Sequence, residues 1–368
     1  MKPKICMISN AGPHYRYPIY SLMAKEFGCE FYLGDIVAGG IKKFDYSSLP
    51  GYKATLHNVF FHNFYWQRGA VGLIAKPYDC YVAVGEPYCI STWLLLLLAK
   101  LRGKKTVCWS HGFYGREGKG KMIVKKTFFK LFSRMLIYNE YSIGIMERIG
   151  FKRSKMFCIA NSLDSDKEKA IRLRLKPTDI FRQHFGNESP VAIYCGRIQR
   201  RKKLEQFIDA LEILKHEGKR VNAVFVGKDS EGVNLEAYAK EKGVAEQVWM
   251  FGPCYDDNTL GELFYNAAVC VSPGNIGLTA IHSLTFGCPA ITHDNFPYQM
   301  PEFEAIRPGL TGDFFKQDST DDLAAKISKW TSLSSQMREE TRKAAYNEID
   351  TKWNVHHQID VMRKAFTF

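Results

Sequence analysis

The chain has 368 residues, of which 46% are hydrophobic and 24% charged, a composition that excludes intrinsic disorder and, at this length, favours two domains over one. Its formal net charge is +13, and the excess is confined to residues 1–165, which hold 24 Lys and Arg against 10 Asp and Glu. The longest apolar stretch, 93–99, is much shorter than the roughly 20 residues that a membrane-spanning helix needs. The run at 5–9 is too short for a signal peptide, so the sequence predicts a cytoplasmic protein.

The ten cysteines are scattered along the chain without a C-x-x-C spacing, and most of them fall in apolar, strand-like runs. Disulfide frameworks and zinc sites place cysteines at close and regular spacings. The sequence therefore predicts reduced thiols in the core.

Short apolar runs alternate with longer helical patterns through the first half. This alternation is typical of βαβ units, which build parallel sheets. Strands are predicted at 4–9, 30–34, 54–61, 79–84, 105–110, 135–138 and 155–160. Helices are predicted at 17–26, 90–101, 121–133 and 141–149.

Residues 100–134 contain eleven basic side chains and a single acid, Glu117. The helix in this segment combines apolar residues on one face with lysines on its flank: Met122, Ile123, Phe128, Phe129, Leu131 and Phe132 beside Lys125, Lys126 and Lys130. This pattern fits a helix on an anionic membrane surface, and it fits equally well a helix whose apolar face lies in the core. No recognition module for nucleic acid accompanies the charge, so nucleic acid is not an expected partner.

A charged segment at 162–190 interrupts the alternation, and a second series of units follows it. Its strands are predicted at 191–196, 222–227, 247–251, 268–272 and 289–292, and its helices at 203–216, 233–242, 258–267, 277–286, 320–332, 335–348 and 353–366. The predicted fold class is α/β, with two doubly wound, Rossmann-like domains at 1–165 and 166–352. The last helix, within 353–368, is expected to pack back on the first domain. Such sheets bind ligands at the carboxyl ends of their strands, so two facing edges would form a cleft.

A basic turn joins the first strand and helix of this second series. The stretch YCGRIQRRKK leaves a strand at Tyr194, turns at Gly196 and places five cations before the helix: Arg197, Arg200, Arg201, Lys202 and Lys203. Cations beside the free N–H groups of a helix N-terminus make an anion site, because both complement phosphate oxygens. A solvated basic turn is the competing interpretation.

The segment VSPGNIGLTAIHSLTFG repeats this geometry. A strand ends at Ser272, a glycine-containing turn follows, and a helix opens at Leu278 and Thr279. Small residues in such a turn let backbone amides approach a phosphate closely. His282 lies one turn inside this helix on the side of Thr279, although a histidine at such a position is more often structural.

The loop after the strand at 289–292 is unusually polar: it contains His293, Asp294, Asn295, Gln299, Glu302 and Glu304. Because it follows a buried strand at the ligand-binding edge, a bound ligand explains it better than surface solvation does, though solvation stays open.

In this order, the segments GRIQRRKK, VFVGKD, WMFGP, CVSPGNIGLTAIHSLTFGCPAITHD and MPEFEAIRPGLTG resemble the donor-binding domain of GT-B glycosyltransferases of the large retaining family four, the group 1 glycosyl transferases. The resemblance implies that Arg197 and Lys202 hold the diphosphate of a nucleotide-sugar and take part in catalysis. It aligns Glu304 with a loop carboxylate that contacts the donor and Gly312 with a closing glycine. The donor-binding residues that it implies are Gly12, Gly196, Gly227, Lys228, Phe251, Gly252, Gly277, Leu278, Thr279, His282, Asp294, Asn295, Glu302 and Glu304.

The chain departs from the family in one respect. Two glutamates separated by seven residues are typical there, one near the sugar and one on the ribose, and the corresponding positions are Gly274 and His282. On this alignment His282 is expected to hydrogen-bond a ribose hydroxyl, and the sugar contact falls to Asp294, Asn295 or Glu302. The departure bears on the identity of the donor more than on the fold.

Three segments of the first domain are similar to the acceptor side of the same family. ISNAGPHYRYPIY places Asn10 and His14 in a turn after the first strand, and CWSHGFYG places His111, expected to face the donor sugar, and Tyr114 after another. CIANSLD contributes Asn161, while Ser162 replaces the glycine of the family pattern.

The resemblance implies transfer of a sugar from a nucleoside diphosphate to a hydroxyl of a glycan or lipid-linked acceptor with retention of configuration. It implies a role in capsule or lipopolysaccharide synthesis, with possible peripheral attachment to the inner face of the plasma membrane. No cofactor and no metal are expected, because the sequence has no dense His/Asp cluster with metal-ligand spacing. The leaving phosphate is expected to take the acceptor proton, so no general base is assigned.

Two alternatives remain open at this point. A sugar-nucleotide epimerase of the same two-domain architecture would need no acceptor and no membrane. A binding protein derived from a transferase would explain the missing glutamate pair.

Overall fold

A computed structural model describes residues 3–36 and 42–368 of the chain. It divides into two compact units: Met1–Leu163 together with Asn354–Phe368, and Asp164–Trp353. Each unit is built around its own sheet, which is mostly parallel in unit 1 and parallel throughout in unit 2.

Unit 1 has eight strands: β1 Ile5–Ser9, β2 Glu30–Gly34, β3 Tyr52–Phe61, β4 Phe64–Arg68, β5 Cys80–Val84, β6 Lys105–Ser110, β7 Arg134–Ile137 and β8 Met156–Cys158. Its helices are α1 Tyr17–Phe27, α2 Ile90–Leu101, α3 Lys119–Lys130, α4 Glu140–Arg148 and, from the end of the chain, α13 Val355–Phe366. The strand order is β4-β3-β2-β1-β5-β6-β7-β8, and β3 with β4 is the antiparallel pair.

The helix α13 is part of unit 1. Phe366 packs edge-on against Phe27 of α1 at 5.1 Å between ring centroids, and Met362 is fully buried in the same core as Leu136 of β7. Arg134 donates a hydrogen bond of 2.8 Å to the carbonyl of Lys364. Apolar packing of one helix face against the sheet is the main source of stability for such a terminal helix.

Unit 2 has six strands: β9 Val191–Cys195, β10 Asn222–Val226, β11 Val248–Gly252, β12 Val269–Ser272, β13 Ala290–His293 and β14 Gly312–Phe315. Its helices are α5 Ser165–Arg172, α6 Ile180–Phe185, α7 Leu204–His216, α8 Leu235–Glu241, α9 Asp257–Asn266, α10 Leu278–Thr285, α11 Thr320–Thr331 and α12 Ser335–Thr351. The order is β11-β10-β9-β12-β13-β14, and all pairs are parallel. Its core includes Phe207, Phe225 and Trp330.

Each strand and helix predicted from the sequence corresponds to an element of the structure, which confirms the α/β fold class with two doubly wound sheets. Four elements were not predicted: β4, α5, α6 and β14. The prediction of reduced thiols is also confirmed, because all ten cysteines are free and seven of them are buried.

The basic helix α3 has its apolar face in the core of unit 1. Phe128 and Phe129 are fully buried, as is Phe132 just beyond the helix. Lys125, which the sequence placed on the flank of this apolar face, is itself buried. The physical reason is a paired acid: its ammonium donates 2.6 Å to Glu117 and 2.8 Å to the carbonyl of Gly112.

Within the described residues, no helix is both long and apolar enough to cross a membrane.

Candidate functional site

In each unit the strand order reverses at one point, and doubly wound sheets bind ligands beside this point at the carboxyl ends of the strands. In unit 1 the reversal lies between β1 and β5, and in unit 2 it lies between β9 and β12. The residues that follow these four strands are the candidates for ligand contact.

Glycines at the ends of β9, β10 and β11 allow three backbone segments to meet in unit 2. The N–H of Gly227 donates to the carbonyl of Gly252 at 2.9 Å. A Cβ on Gly227 would lie 1.8 Å from the carbonyl oxygen of Gly196, so no side chain fits there. Gly196, Gly227 and Gly252, all predicted to bind the donor, are therefore closely packed at the carboxyl ends of these strands.

The basic turn after β9 lies against the turn after β12. Lys202 donates from Nζ to both oxygens of Asn275, at 2.6 Å to the carbonyl and 2.9 Å to Oδ1. The N–H of Gly274 donates 2.8 Å to the carbonyl of Lys202. The contact brings together the two turns that the sequence marked separately as anion sites.

Lys202 is half-buried in this position, and burial lowers its pKa to about 8. The positive charge of Arg201 adds to the shift, and the carboxylate of Glu302 opposes it. A cation held partly out of water beside a helix N-terminus is well suited to bind an anion, because the anion restores the lost charge compensation. Arg197 is exposed, and its carbonyl accepts 2.8 Å from the Tyr194 hydroxyl.

The structure gives a physical reason for the glycine at position 274. A Cβ there would lie 2.3 Å from the carbonyl oxygen of Arg201 and 2.7 Å from Cα of Lys202. The backbone of the basic turn thus occupies the volume in which a glutamate side chain would start. The close packing of the two turns therefore explains why the family's first glutamate is absent from this chain.

The helix α10 begins directly after this turn. Thr279 donates its hydroxyl to the carbonyl of Cys195 at 2.9 Å, which ties the first turn of α10 to the end of β9. Gly277 precedes the helix, and Leu278 is its first residue. The free N–H groups of this end therefore lie beside the basic turn.

The polar loop after β13 is fixed by one buried amide. Gln299 accepts from the N–H of Ile276 at 2.8 Å and donates to Thr292 Oγ1 at 2.8 Å and to the His293 carbonyl at 3.0 Å. Gln299 therefore fastens the loop to the turn before α10. Part of the loop's polarity serves its own folding.

Asp294 and Asn295, predicted on the sugar side, both contact Gln317. Asp294 Oδ1 accepts from the N–H of Gln317 at 3.0 Å, and Asn295 donates to its side-chain oxygen. Asp294 is exposed and Asn295 half-buried. These contacts hold both side chains at the carboxyl end of β13.

The two glutamates of the loop have different environments. Glu302 is buried, and its charge acts on Lys202. Glu304 lies 3.6 Å from the ammonium of Lys352. The charge of Glu302 thus acts on the basic turn, and Glu304 is paired with Lys352.

Lys228 and Phe251 occupy the neighbouring strand ends. Lys228 is exposed and accepts 3.0 Å from the N–H of Ile198 through its carbonyl. Phe251 lies in β11 with its ring 5.0 Å from that of Trp249.

His282 lies on α10 between the rings of Phe264 and Phe286, at 5.4 and 5.3 Å. Its Nε2 is 3.4 Å from Oε1 of Glu168 on α5. Burial lowers the pKa of His282 to about 4 and raises that of Glu168 well above its usual value, aided for Glu168 by the charge of Asp257. His282 is therefore uncharged near pH 7, and the raised pKa of Glu168 favours its protonated form.

We expect Glu168→Gln to stabilise unit 2 at pH 8 by about 1 kcal/mol, or about 2–4 °C in Tm. The raised pKa means that the folded state binds the proton more tightly than the unfolded state does. This contribution is present below the unfolded pKa of about 4.5 and is lost as the pH rises through the folded value. Glutamine keeps the shape without this loss, so the gain should shrink at pH 4.

Thermal unfolding at the two pH values checks this expectation. Glu246→Gln, at an exposed position, is the control and should leave Tm unchanged at both. A lower Tm for Glu168→Gln at pH 8 would mean that the carboxylate is charged and paired in the folded protein.

At the reversal point of unit 1, Asn10 follows β1 and Glu86 follows β5. Asn10 donates 2.8 Å to Glu86 Oε1, and the Tyr65 hydroxyl donates 2.6 Å to Oε2. Asn58 donates 2.8 Å to the carbonyl of Asn10. Burial raises the pKa of Glu86, and these hydrogen bonds oppose the shift.

The turn after β1 contains the predicted residues Gly12 and His14. Gly12 donates its N–H to the Tyr46 hydroxyl at 2.8 Å, and a Cβ there would lie 2.5 Å from the Tyr46 ring. His14 is exposed, and its Nδ1 is 3.3 Å from the Lys42 carbonyl. Both residues are thus fixed at the carboxyl edge of the sheet.

His111 follows β6, with its ring 4.7 Å from Tyr138. Arg16 lies over the same tyrosine at 5.2 Å and over Trp109 at 4.8 Å. Burial and, to a smaller extent, the charges of Arg16 and Lys125 together lower the pKa of His111 to about 4. At neutral pH this imidazole is uncharged, and its Nδ1 has no hydrogen-bond partner among the described residues.

The loop after His111 is held by a buried ion pair. Glu117 accepts from the N–H of Tyr114 at 3.0 Å and from that of Gly115 at 2.9 Å, while Lys125 contacts the same carboxylate. Gly112 has φ +68°, and a Cβ there would lie 2.2 Å from Ser142 Oγ. These contacts tie the loop to Lys125 of α3 and leave no room for a side chain at Gly112.

Asn161 is buried at the end of unit 1, where its Oδ1 accepts from the N–H of Ser162 at 3.0 Å. Gln358 of α13 accepts from the Ser162 hydroxyl and donates to the Ala160 carbonyl. A glycine at 162 would lose the first of these bonds, so the serine has a structural role here.

Sequence reasoning missed several residues of these sites: Arg16, Glu86, Asn275, Gln299 as a structural residue, and Glu168. Glu86 could have been found because it follows a predicted strand at the ligand edge. Glu168 could not, because its partner lies 114 positions away and no local pattern connects them.

Within residues 3–36 and 42–368, no group of three or more His, Cys, Asp or Glu side chains is arranged to hold a metal ion.

The profile of the family described as glycosyl transferases group 1 matches residues 176–348. Among solved structures, the lipopolysaccharide outer core galactosyltransferase WaaB in its apo form is 15% identical, with a TM-score of 0.73 over 99% of each chain. Alr3699/HepE from Anabaena, in complex with UDP, is 15% identical, with a TM-score of 0.75 over 99% of this chain and 100% of that one.

A glycosyltransferase from Rickettsia africae is 14% identical, with a TM-score of 0.75 over 100% of this chain and 98% of that one. No curated protein matches the chain. These likenesses establish the fold of the chain, and the profile covers most of unit 2. Residues 176–348 therefore resemble the group 1 glycosyl transferases, and the chain has the GT-B fold of these solved structures.

Proposed function

We propose that the protein is a nucleotide-sugar-dependent hexosyltransferase that glycosylates a hydroxyl of a glycan or lipid-linked acceptor. The configuration at the anomeric carbon is retained, and neither a metal nor a cofactor takes part. The acceptor belongs to cell-surface polysaccharide synthesis, such as capsule or lipopolysaccharide, and the protein works in the cytoplasm at the inner face of the plasma membrane. The family of unit 2 and the UDP complex of a protein with the same fold support this proposal.

The position of Lys202 carries the proposal. Its ammonium is half-buried, has a pKa lowered to about 8, and bridges the basic turn to Asn275 before α10. A diphosphate fits two adjoining turns of this kind, because its negative charges complement the cations and its oxygens accept hydrogen bonds from the free amides. Arg197 adds a guanidinium from the same turn.

The transfer exchanges one bond for another at the anomeric carbon. Its bond to the diphosphate oxygen breaks and a bond to the acceptor oxygen forms, while the acceptor proton ends on the released diphosphate. Negative charge develops on that leaving group, so the fixed cations Lys202 and Arg197 stabilise the transition state more than the ground state.

The acceptor side is proposed to lie in unit 1, at Asn10, His14, Tyr114 and Asn161. Glu86 joins this set because it is hydrogen-bonded to Asn10 at the reversal point of the sheet. The neutral imidazole of His111 can accept or donate a hydrogen bond to a sugar hydroxyl without adding charge.

Glu302 is proposed as the carboxylate nearest the donor sugar, in place of the glutamate absent at Gly274. Its charge acts on Lys202, as would be needed at the sugar end of a diphosphate. His282, whose Nε2 lies 3.4 Å from Glu168, is proposed to contact the ribose in place of the family's second glutamate.

Turnover with a panel of nucleotide-sugars tests the proposal. We expect one donor to release its nucleoside diphosphate at a rate that rises about 10-fold or more when a lipid extract or oligosaccharide acceptor is added. The labelled sugar should appear on the acceptor.

Three outcomes would contradict the proposal. An isomerised sugar nucleotide formed without acceptor would favour the epimerase. Tight nucleotide binding without turnover on any acceptor would favour the binding protein. A donor that stabilises the fold only with added divalent metal would overturn the metal-free scheme.

A further inference from the structure

Three exposed aromatic rings lie together on unit 1 at the hairpin of β3 and β4. Phe61, Phe64 and Tyr88 are between 41% and 46% exposed. Phe61 stacks with Phe64 at 6.3 Å, and Phe64 lies 6.2 Å from Tyr88. We call these three residues the aromatic patch. Contiguous exposed patches of this kind are uncommon on soluble proteins and mark interaction surfaces.

The hairpin extends past the carboxyl edge of the sheet. β2 pairs with β3 as far as Gly34 opposite Leu56, and β3 continues to Phe61. At ~3.3 Å per residue, residues 57–61 project roughly 15 Å beyond the last pair. The aromatic patch is therefore at the tip of a projection on the side where the acceptor residues lie.

Buried hydrogen bonds fix the base of the hairpin. The Tyr65 hydroxyl donates to Glu86, and Gln67 donates 3.0 Å to the carbonyl of Ser9 and 3.0 Å to Asn58 Oδ1. Tyr65 also donates its N–H to the Tyr88 carbonyl at 3.0 Å. The tip is thus held at a defined place relative to Asn10 and Glu86.

Positive charge adjoins the patch. The ammonium of Lys121 lies 5.8 Å from the Tyr88 ring centroid, and Lys119 and Lys130 of α3 are also exposed. Ile123 of the same helix is 66% exposed. The acid of this segment, Glu117, is engaged by Lys125, so it does not offset these lysines.

We propose that the aromatic patch and the exposed lysines of α3 dock unit 1 on an anionic lipid bilayer. Two of the three rings are phenylalanines, which have no hydrogen-bonding group and gain from the apolar boundary below the headgroups. The lysines complement anionic headgroups. A surface that binds a soluble glycan would instead carry aromatic residues with hydroxyl groups, and the positive charge of the lysines would add little to its affinity. The inference rests on the proposed function only for the reason to be at a membrane, namely a lipid-linked acceptor.

Flotation of the full-length chain with vesicles tests the proposal. Binding is expected to vesicles of phosphatidylcholine with phosphatidylglycerol, to weaken with added salt, and to be at least about tenfold weaker for phosphatidylcholine alone. The double variant Phe61→Ser/Phe64→Ser should lose about tenfold or more in affinity for the anionic vesicles. Lys121→Glu should lose affinity and also reduce the salt dependence.

Matched controls come from unit 2. Tyr255→Ser removes an aromatic that is 87% exposed, and Lys240→Glu reverses an exposed lysine; both should bind vesicles as the parent does. Nucleotide binding of every variant, measured without lipid, reports separately on the proposed function.

Equal binding of the parent and the double variant to anionic vesicles would overturn the docking surface, provided that circular dichroism shows both to be folded. No binding to either vesicle type would overturn it as well. Sedimentation that shows a dimer in the parent and a monomer in the double variant would assign the patch to a second copy instead.

Discussion

Lys202→Met is expected to weaken binding of the nucleoside diphosphate about 100-fold and to lower kcat/KM for the nucleotide-sugar by about 10²–10³. The methionine retains the apolar stem and removes the ammonium that spans the two turns through Asn275. Calorimetric titration with UDP and GDP, followed by steady-state kinetics with the accepted donor, measures both effects.

Two variants control for this result. Lys215→Met removes an ammonium that also donates 2.6 Å to a backbone carbonyl, that of Gly243, but far along α7 from the basic turn; it should leave binding within about twofold. Lys202→Arg keeps the charge and should recover part of the affinity. Unchanged binding in Lys202→Met would exclude this lysine from the site.

The lowered pKa of Lys202 adds a pH signature to the same experiment. The ammonium is charged below its pKa of about 8, and the diphosphate binds the charged form. Affinity is therefore expected to fall as the pH rises above 8, by up to about tenfold per unit, with uptake of a proton on binding. The arginine variant should not show this decline, because its side chain stays charged.

Gly227→Ala is expected to destabilise unit 2 by about 3 kcal/mol, or about 6–12 °C in Tm, and to abolish donor binding. The added Cβ would lie 1.8 Å from the carbonyl oxygen of Gly196. The ends of β9 and β10 would have to separate, and the basic turn starts at that point. Thermal unfolding and nucleotide titration of the variant measure the two consequences.

Gly243→Ala is the control that distinguishes the steric clash at Gly227 from the strain that alanine causes at a positive φ. Gly243 has φ +66°, with open space around the site of a Cβ apart from the Lys215 ammonium at 4.0 Å, so alanine there should cost about 1–2 kcal/mol and spare binding. A Gly227→Ala protein as stable as the parent would mean that the strand ends are looser than the structure has them.

Local sequence patterns were sufficient to predict most of the strands and helices. Buried strands such as β9 read as unbroken apolar runs, and helices such as α7 follow with a periodic apolar face, because parallel sheets are covered on both sides. The elements that were missed have weak local signals. Short α5 lies in a charged segment, and β4 follows β3 so closely that the two read as one run.

The candidate site was likewise only partly predictable from the sequence. The basic turn and the turn before α10 could be predicted, since cations and small residues after a strand have a local meaning. The contact of Lys202 with Asn275 could not, because it joins positions 73 apart. Glu302 and Glu304 are two residues apart, and only the fold distinguishes the one near Lys202 from the one near Lys352.

The basic helix α3 illustrates how an amphipathic pattern can mislead. In the sequence, Phe128 and Phe129 lie on an apolar face that fits either membrane or core, with Lys125 on its flank, and burial of all three assigns this face to the core. Exposed aromatic residues lie at the β3–β4 hairpin, where the strand pattern gave no reason to expect them outside.

A crystal structure of the protein with a bound nucleoside diphosphate tests the central claim most directly. The account predicts phosphate oxygens within hydrogen-bonding distance of the Lys202 ammonium and the Arg197 guanidinium, with backbone amides at the start of α10 pointing at them. Phosphates found at any other place, with Lys202 still donating only to Asn275, would contradict it.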